Sequence, residues 1–275
     1  MRKAICIGIN DYSYADASNL DGCVNDMNDW SNMFTTLNFD EIKTLEDYTA
    51  TKANIKNSLL MMIEQSSAGD DLVMTYSGHG TSLYDTDGDE EDGYDEALYV
   101  YNGTIVDDEL REIIAHLPDG VNLTIILDSC FSGTATKSAP SDRRKIRYVE
   151  TDKKTRNLRR KKAFLSDIGM KEVLISGCAA YEYSYDAMIN GRYNGAFTHY
   201  AMACFNPGKK LLDWHTDIRK FLPSIEYPQT PGIFGNDENI NKSAFSLDDD
   251  GIDHPPIDNG SNKTGCIGKI VKLFK

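Results

Sequence analysis

Apolar and polar positions along the chain alternate between short hydrophobic runs and stretches of helical spacing. Apolar, β-rich runs occupy residues 4–9, 71–76, 123–127 and 172–175, and helical spacing runs through residues 24–34, 55–63 and 109–117. This alternation predicts a largely parallel sheet covered by helices. Runs such as LTIIL at residues 123–127 carry no polar alternation, as expected of strands buried on both faces. Further helices are predicted at residues 196–205 and 211–222.

A length of 275 residues suits one large α/β domain or two small ones. Apolar runs fall short of a membrane span, and the opening MRKAICIGIND turns polar too soon for a signal peptide, so a soluble, cytoplasmic chain without a membrane partner is expected. Six scattered cysteines with no CxxC pair argue against a disulfide scaffold or a zinc module. The net charge of -14 disfavours a nucleic-acid partner and favours cationic ones. That charge is uneven. Residues 143–162 hold eleven basic side chains against Glu150 and Asp152, and they read as an exposed linker. From about residue 236 the chain looks irregular.

Two predicted strands end in chemistry. Residues 71–76 lead into Ser77-Gly78-His79-Gly80, and residues 123–127 lead into Asp128-Ser129-Cys130-Phe131-Ser132-Gly133. Ligands of open α/β sheets bind beyond the carboxyl ends of the strands. If the two strands are neighbours, about 4.8 Å apart, His79 and Cys130 face each other and supply an acid/base and a nucleophile. Taken singly, a cysteine at a strand end is more often a small buried hydrophobe, and a histidine beside a glycine a turn residue. Period-two geometry puts Asp128 on the face of Cys130 and Ser77 on that of His79. A carboxylate there would raise a thiol pKa, so it is better suited to holding a cationic substrate side chain, arginine above all; a loop-capping Asp128 is the other reading.

Several motifs in order, GINDY, SGHG, DGDEEDGYDEAL, VDDEL, DSCFSG, ISGC and GRYNGAFT, resemble the metacaspase branch of the caspase-like cysteine peptidases, from residue 3 to about residue 235. The resemblance implies a caspase-like three-layer α/β fold, with a mostly parallel central sheet flanked by helices. It implies a dyad of His79 and Cys130, with the amides of Gly80 and Cys130 stabilising the oxyanion. It places Cys23, Asp26, Ser77 and Asp128 in the pocket for the residue before the cut. Two acids there imply cleavage of proteins or peptides after Arg or Lys, rather than after Asp as in animal caspases.

The resemblance also divides the chain into a peptidase domain at residues 1–235 and an irregular tail at 236–275. Within the domain, residues 1–133 carry His79 and Cys130, 134–170 form the basic linker, and 171–235 form the second part. Basic residues between DSCFSG and ISGC predict sites within residues 143–162 for self-cleavage or for cleavage by a related protease. Calcium is expected as an activator and not as a reactant, with ligands at Asp95, Asp107 and Asp108 by resemblance. Asp85, Asp87, Asp89 and Glu96 have EF-hand spacing, but Glu90 stands where that loop needs glycine, which excludes an EF-hand. Residues 134–140 contain Lys137 and none of the acids the family carries after its cysteine. A monomer is expected. The alternative function is a catalytically weak regulatory module that holds basic segments in an acidic groove; possession of both His79 and Cys130 favours the enzyme.

Overall fold

The structure, a computed structural model, describes residues 1–15, 17–84, 94–131, 144–151 and 169–245. Asp85, Asp87 and Asp89, the segment 134–140, the basic residues 143 and 152–162 and the tail from residue 246 lie outside the described residues. The first half holds β1 (Arg2–Gly8), α1 (Cys23–Thr36), β2 (Glu41–Glu46), α2 (Lys52–Glu64), β3 (Asp71–Ser77), β4 (Gly80–Tyr84), β5 (Tyr94–Val100), β6 (Gly103–Val106), α3 (Asp107–Ile114) and β7 (Asn122–Asp128). Then follow β8 (Arg144–Ile146), β9 (Val173–Ser176), β10 (Tyr185–Ile189), β11 (Arg192–Gly195), α4 (Ala196–Cys204), α5 (Leu211–Ile218), β12 (Gly232–Phe234) and α6 (Asp237–Ile240).

Six strands form the central sheet in the order β12-β9-β7-β3-β1-β2, parallel except at β12. The alternation of side chains across each strand feeds two cores. Ile5 and Ile7 of β1, Leu72 and Met74 of β3 and Leu123 and Ile125 of β7 pack with Ile55, Leu59 and Ile63 of α2 and Leu110 of α3. On the other face Ala4, Val73 and Ile126 meet Met27, Trp30 and Phe34 of α1, Phe197 of α4 and Trp214 of α5. The result is the expected three-layer α/β arrangement. The sequence pattern did not distinguish two small antiparallel sheets, β4-β5-β6 and β11-β10-β8, whose strands of three to seven residues are too short for a decisive period.

The packed chain continues past residue 235. Asn236 caps α6 by accepting from the Asn239 amide, and Phe245 is buried against Phe34 and Trp214, with ring centres 5.3 and 5.7 Å away. Among the described residues, no helix is long and apolar enough to cross a membrane.

Candidate active site

β3 and β7 are parallel neighbours, with Ser77 level with Asp128. Their carboxyl ends therefore leave the sheet side by side, and His79 and Cys130 each follow two residues later. Glycine is required between them by close approach: a Cβ on Gly80 would lie 2.1 Å from the Cys130 carbonyl oxygen.

Both candidate groups are buried. The His79 Nε2 lies 2.7 Å from the Ser18 carbonyl oxygen, which can only accept, so Nε2 carries the proton and Nδ1 keeps its lone pair. Nδ1 is buried with no hydrogen-bond partner among the described residues. Tyr12 fixes the segment, its ring 4.6 Å from the imidazole and its hydroxyl accepting from the His79 amide at 2.9 Å. Burial pushes the imidazole pKa down to about 4, helped by the charges of Arg147 and Lys145, so the ring is neutral at neutral pH. The Cys130 Sγ accepts from the Ser184 amide at 2.6 Å, and its thiol donates to the Ser184 carbonyl at 3.4 Å. The Cys178 thiol donates to the Ser129 carbonyl at 3.4 Å, and the neighbouring Cys130 sulfur together with burial holds it well above its ordinary pKa.

The amides of Gly80 and Cys130 converge on one acceptor, the carbonyl oxygen of Arg147, at 2.9 and 3.2 Å. The Arg147 side chain enters a pocket of three carboxylates. Its Nη2 lies 2.7 Å from Asp26 and 3.6 Å from Asp186, and its Nη1 lies 3.3 Å from an Asp128 oxygen and donates to the Asp128 carbonyl at 3.1 Å. Arg147 and the three acids are at most 1% exposed.

Neutral donors hold these acids in place. Asp26, on α1, accepts from Asn194 at 2.9 Å and from the Gly195 amide at 3.0 Å. Asp128 accepts from the Thr198 amide and hydroxyl at 2.9 and 2.7 Å, and from the Ser184 hydroxyl. Asp186 accepts from the amides of Asp21 and Gly22 at 2.6 and 3.2 Å. Burial and the nearby Asp128 charge raise Asp26 to about 7 despite the opposing pull of Arg147.

Of the four pocket residues named from the sequence, Asp26 and Asp128 reach the guanidinium. Cys23 opens α1, its thiol pushed well up by burial, and Ser77 stands level with Asp128. Asp186 escaped the sequence reading; an acid between Tyr185 and Ala187, in a strand, was its only signal. Ser18 acts through its carbonyl, so its side-chain identity carries no signal.

Residues 144–151 differ from the expected exposed linker. Arg144, Lys145 and Ile146 pair antiparallel with Ala187, Asp186 and Tyr185, and the Arg147 amide donates to the Ser184 carbonyl at 3.1 Å. Beyond Arg147, the Val149 amide donates to the Gly80 carbonyl at 2.9 Å. Counting charge along the chain could not find this arrangement, because the partners of Arg147 are supplied by distant segments.

The calcium residues occupy one edge. Asp95 lies on β5 and Asp107 and Asp108 open α3, with Ala97 paired to Val106 between them. Asp107 also lies 3.8 Å from Arg111. Among the described residues, no group of three or more His, Cys, Asp or Glu side chains is gathered closely enough to hold a metal ion. No chemical step is routed through a metal at these acids.

A family model for the metacaspase peptidase C14 domain matches residues 2–139. Metacaspase-1 of Coccidioides immitis is 41% identical over 151 residues, 49% of this chain and 32% of that protein. Metacaspase-1 of Scheffersomyces stipitis is 29% identical over 288 residues, 84% of this chain and 70% of that protein. A solved protein structure from Geobacter sulfurreducens, 25% identical, matches with a TM-score of 0.70 and covers 89% of this chain and 98% of that one. Where identity is near 40%, the match spans only 32–36% of the relative's own length.

Proposed function

Because the chain belongs to the metacaspase peptidase C14 family, we propose that it is a cysteine endopeptidase that cuts after arginine and whose own linker is its first substrate. One observation carries this reading: Arg147 is seated like the residue before a cut, its carbonyl oxygen held by the Gly80 and Cys130 amides and its guanidinium among Asp26, Asp128 and Asp186. In the proposed reaction His79 takes the Cys130 proton at Nδ1. The thiolate adds to the carbonyl carbon, and the negative oxygen of the tetrahedral intermediate stays between the two amides. The imidazolium then protonates the departing amine, and water, deprotonated by the same imidazole, releases the acyl group and restores the thiol.

Arginine suits this pocket better than lysine, since its two terminal nitrogens meet carboxylates from different directions, which one ammonium point charge does not reproduce. While Arg147 is seated the cleft is filled, so the uncut chain is a zymogen and the Arg147–Tyr148 bond is the first to be cut. Calcium belongs to this reading as an activator near Asp95, Asp107 and Asp108, tested by calorimetric titration of wild type against Asp107→Asn.

Mass spectrometry of the incubated protein tests the main proposal. A new amino terminus at Tyr148, absent from Cys130→Ala, is expected. A chain that cleaves an arginyl reporter while the 147–148 bond stays intact overturns self-processing.

A further inference from the structure

The segment that leaves the cleft is gripped as firmly as the one that enters it. Resting on the reading of Arg147 as the residue before the cut, we propose that substrate is also selected after the cut. The edge of β4 away from β5 is a binding site for the leaving side of the peptide, and it takes an aliphatic side chain at the second residue past the scissile bond.

Gly80 holds both halves of the segment. Its amide donates to the Arg147 carbonyl while its own carbonyl accepts from Val149, each at 2.9 Å, and it forms a parallel bridge with Tyr148. One residue further on, the Thr81 hydroxyl donates to the Val149 carbonyl at 2.8 Å. Gly80 thus bonds main chain to main chain on both sides of Tyr148, the arrangement by which a peptide adds a strand to a sheet edge, and the Thr81 side chain satisfies the remaining Val149 carbonyl. At the rim, the Thr151 hydroxyl donates to the Ser82 carbonyl at 2.7 Å.

Burial supplies the side-chain preference. Val149 is 6% exposed beside fully buried Thr81, whereas Glu150, pointing the other way along the extended chain, is exposed. The backbone bonds would accept any residue but proline, but the buried position would not: a carboxylate there loses water without gaining a partner, and a glycine leaves the space unfilled. The substrate class is therefore a peptide with arginine before the cut and valine or a similar aliphatic residue two positions after it.

Internally quenched peptides with Arg-Lys-Ile-Arg before the cut and Tyr-Val-Glu-Thr after it, incubated with the full chain, provide the test. A reporter carrying only a dye after arginine runs in parallel. Changing the second leaving-side residue from Val to Asp is expected to lower kcat/KM at least tenfold, and Val to Gly by less. Cleavage after arginine with Val, Gly and Asp peptides equal within about twofold overturns this inference and leaves the proposed function standing. Failure to cut any arginyl peptide or the reporter overturns the proposed function and this inference with it.

Discussion

The two ends of Arg147 meet opposite surroundings. Its carbonyl oxygen lies between two neutral amides, donors that a substrate carbonyl or a water molecule could engage equally well. Its guanidinium lies among three buried carboxylates, which carry more negative charge than one cation neutralises. The neutral half tolerates exchange of its occupant; the charged half is costly to empty, because removing the cation leaves buried carboxylates without their partner. On the proposed function the contrast separates two tasks: the amides would set which bond lies before Cys130, and the acids would decide which residue brings it there.

The largest expected effect removes the nucleophile and leaves both halves standing, since alanine at position 130 keeps its amide. Cys130→Ala should lower cleavage of an arginyl reporter by at least about 10⁴-fold, with circular dichroism and melting temperature close to wild type. Retained activity would dismiss the dyad. Breaking the charged half instead, Asp128→Ala should reduce kcat/KM for arginyl peptides by about 2–5 kcal/mol, roughly 30-fold to several thousand-fold, and change peptides with an uncharged residue before the cut far less. An unaltered preference would move the pocket elsewhere.

Emptying the charged half tests its cost directly. In a Cys130→Ala background, Arg147→Ala leaves Asp26, Asp128 and Asp186 without their cation and should destabilise the fold by up to about 3–5 kcal/mol at alkaline pH, read by thermal melts. The loss should shrink at lower pH, where Asp26 is protonated. Asp26 is raised from 3.8, so the folded protein retains a proton that the unfolded chain has released; its stabilising contribution is present below about 4 and is lost as pH rises to about 7. Arginine binding runs the other way: Asp26 stands at about 7 with the guanidinium beside it, and without that cation's pull its carboxyl is raised further. KM for arginyl peptides should therefore fall by up to about tenfold per pH unit as pH rises above about 7; a flat KM above 7 would remove Asp26 from recognition. The smallest expected effect is Asp186→Asn, whose oxygen stands 3.6 Å from the guanidinium: about fivefold in kcat/KM, roughly 1 kcal/mol, with the loss greater for arginine than for lysine.

A mostly parallel sheet covered by helices and half of the site were legible in the chain because they depend on local signals; the caspase-like arrangement came from the motif resemblance. Unbroken apolar runs mark β3 and β7 as buried strands, and SGHG and DSCFSG lie where such strands end. Asp26 and Asp128 were reachable through motif resemblance. Asp186 was not, since its small sheet is built from strands too short to announce themselves. The role of residues 144–151 was hidden for a different reason: eleven basic side chains within twenty residues look alike until one of them is seated.

By itself, the sequence determined the layers, four of the six central strands, β1, β3, β7 and β9, though not the edge strands β2 and β12, and the sulfur and imidazole placed at two strand ends, all consequences of periodicity and neighbouring residues. Tertiary structure alone decided that Arg147 would meet Asp26 across 121 positions of sequence, that Asp186 would join them, and that the Ser18 carbonyl would choose the imidazole tautomer. These contacts are electrostatic and set by distance in space, and a linear chain does not specify such distances until its cores have packed.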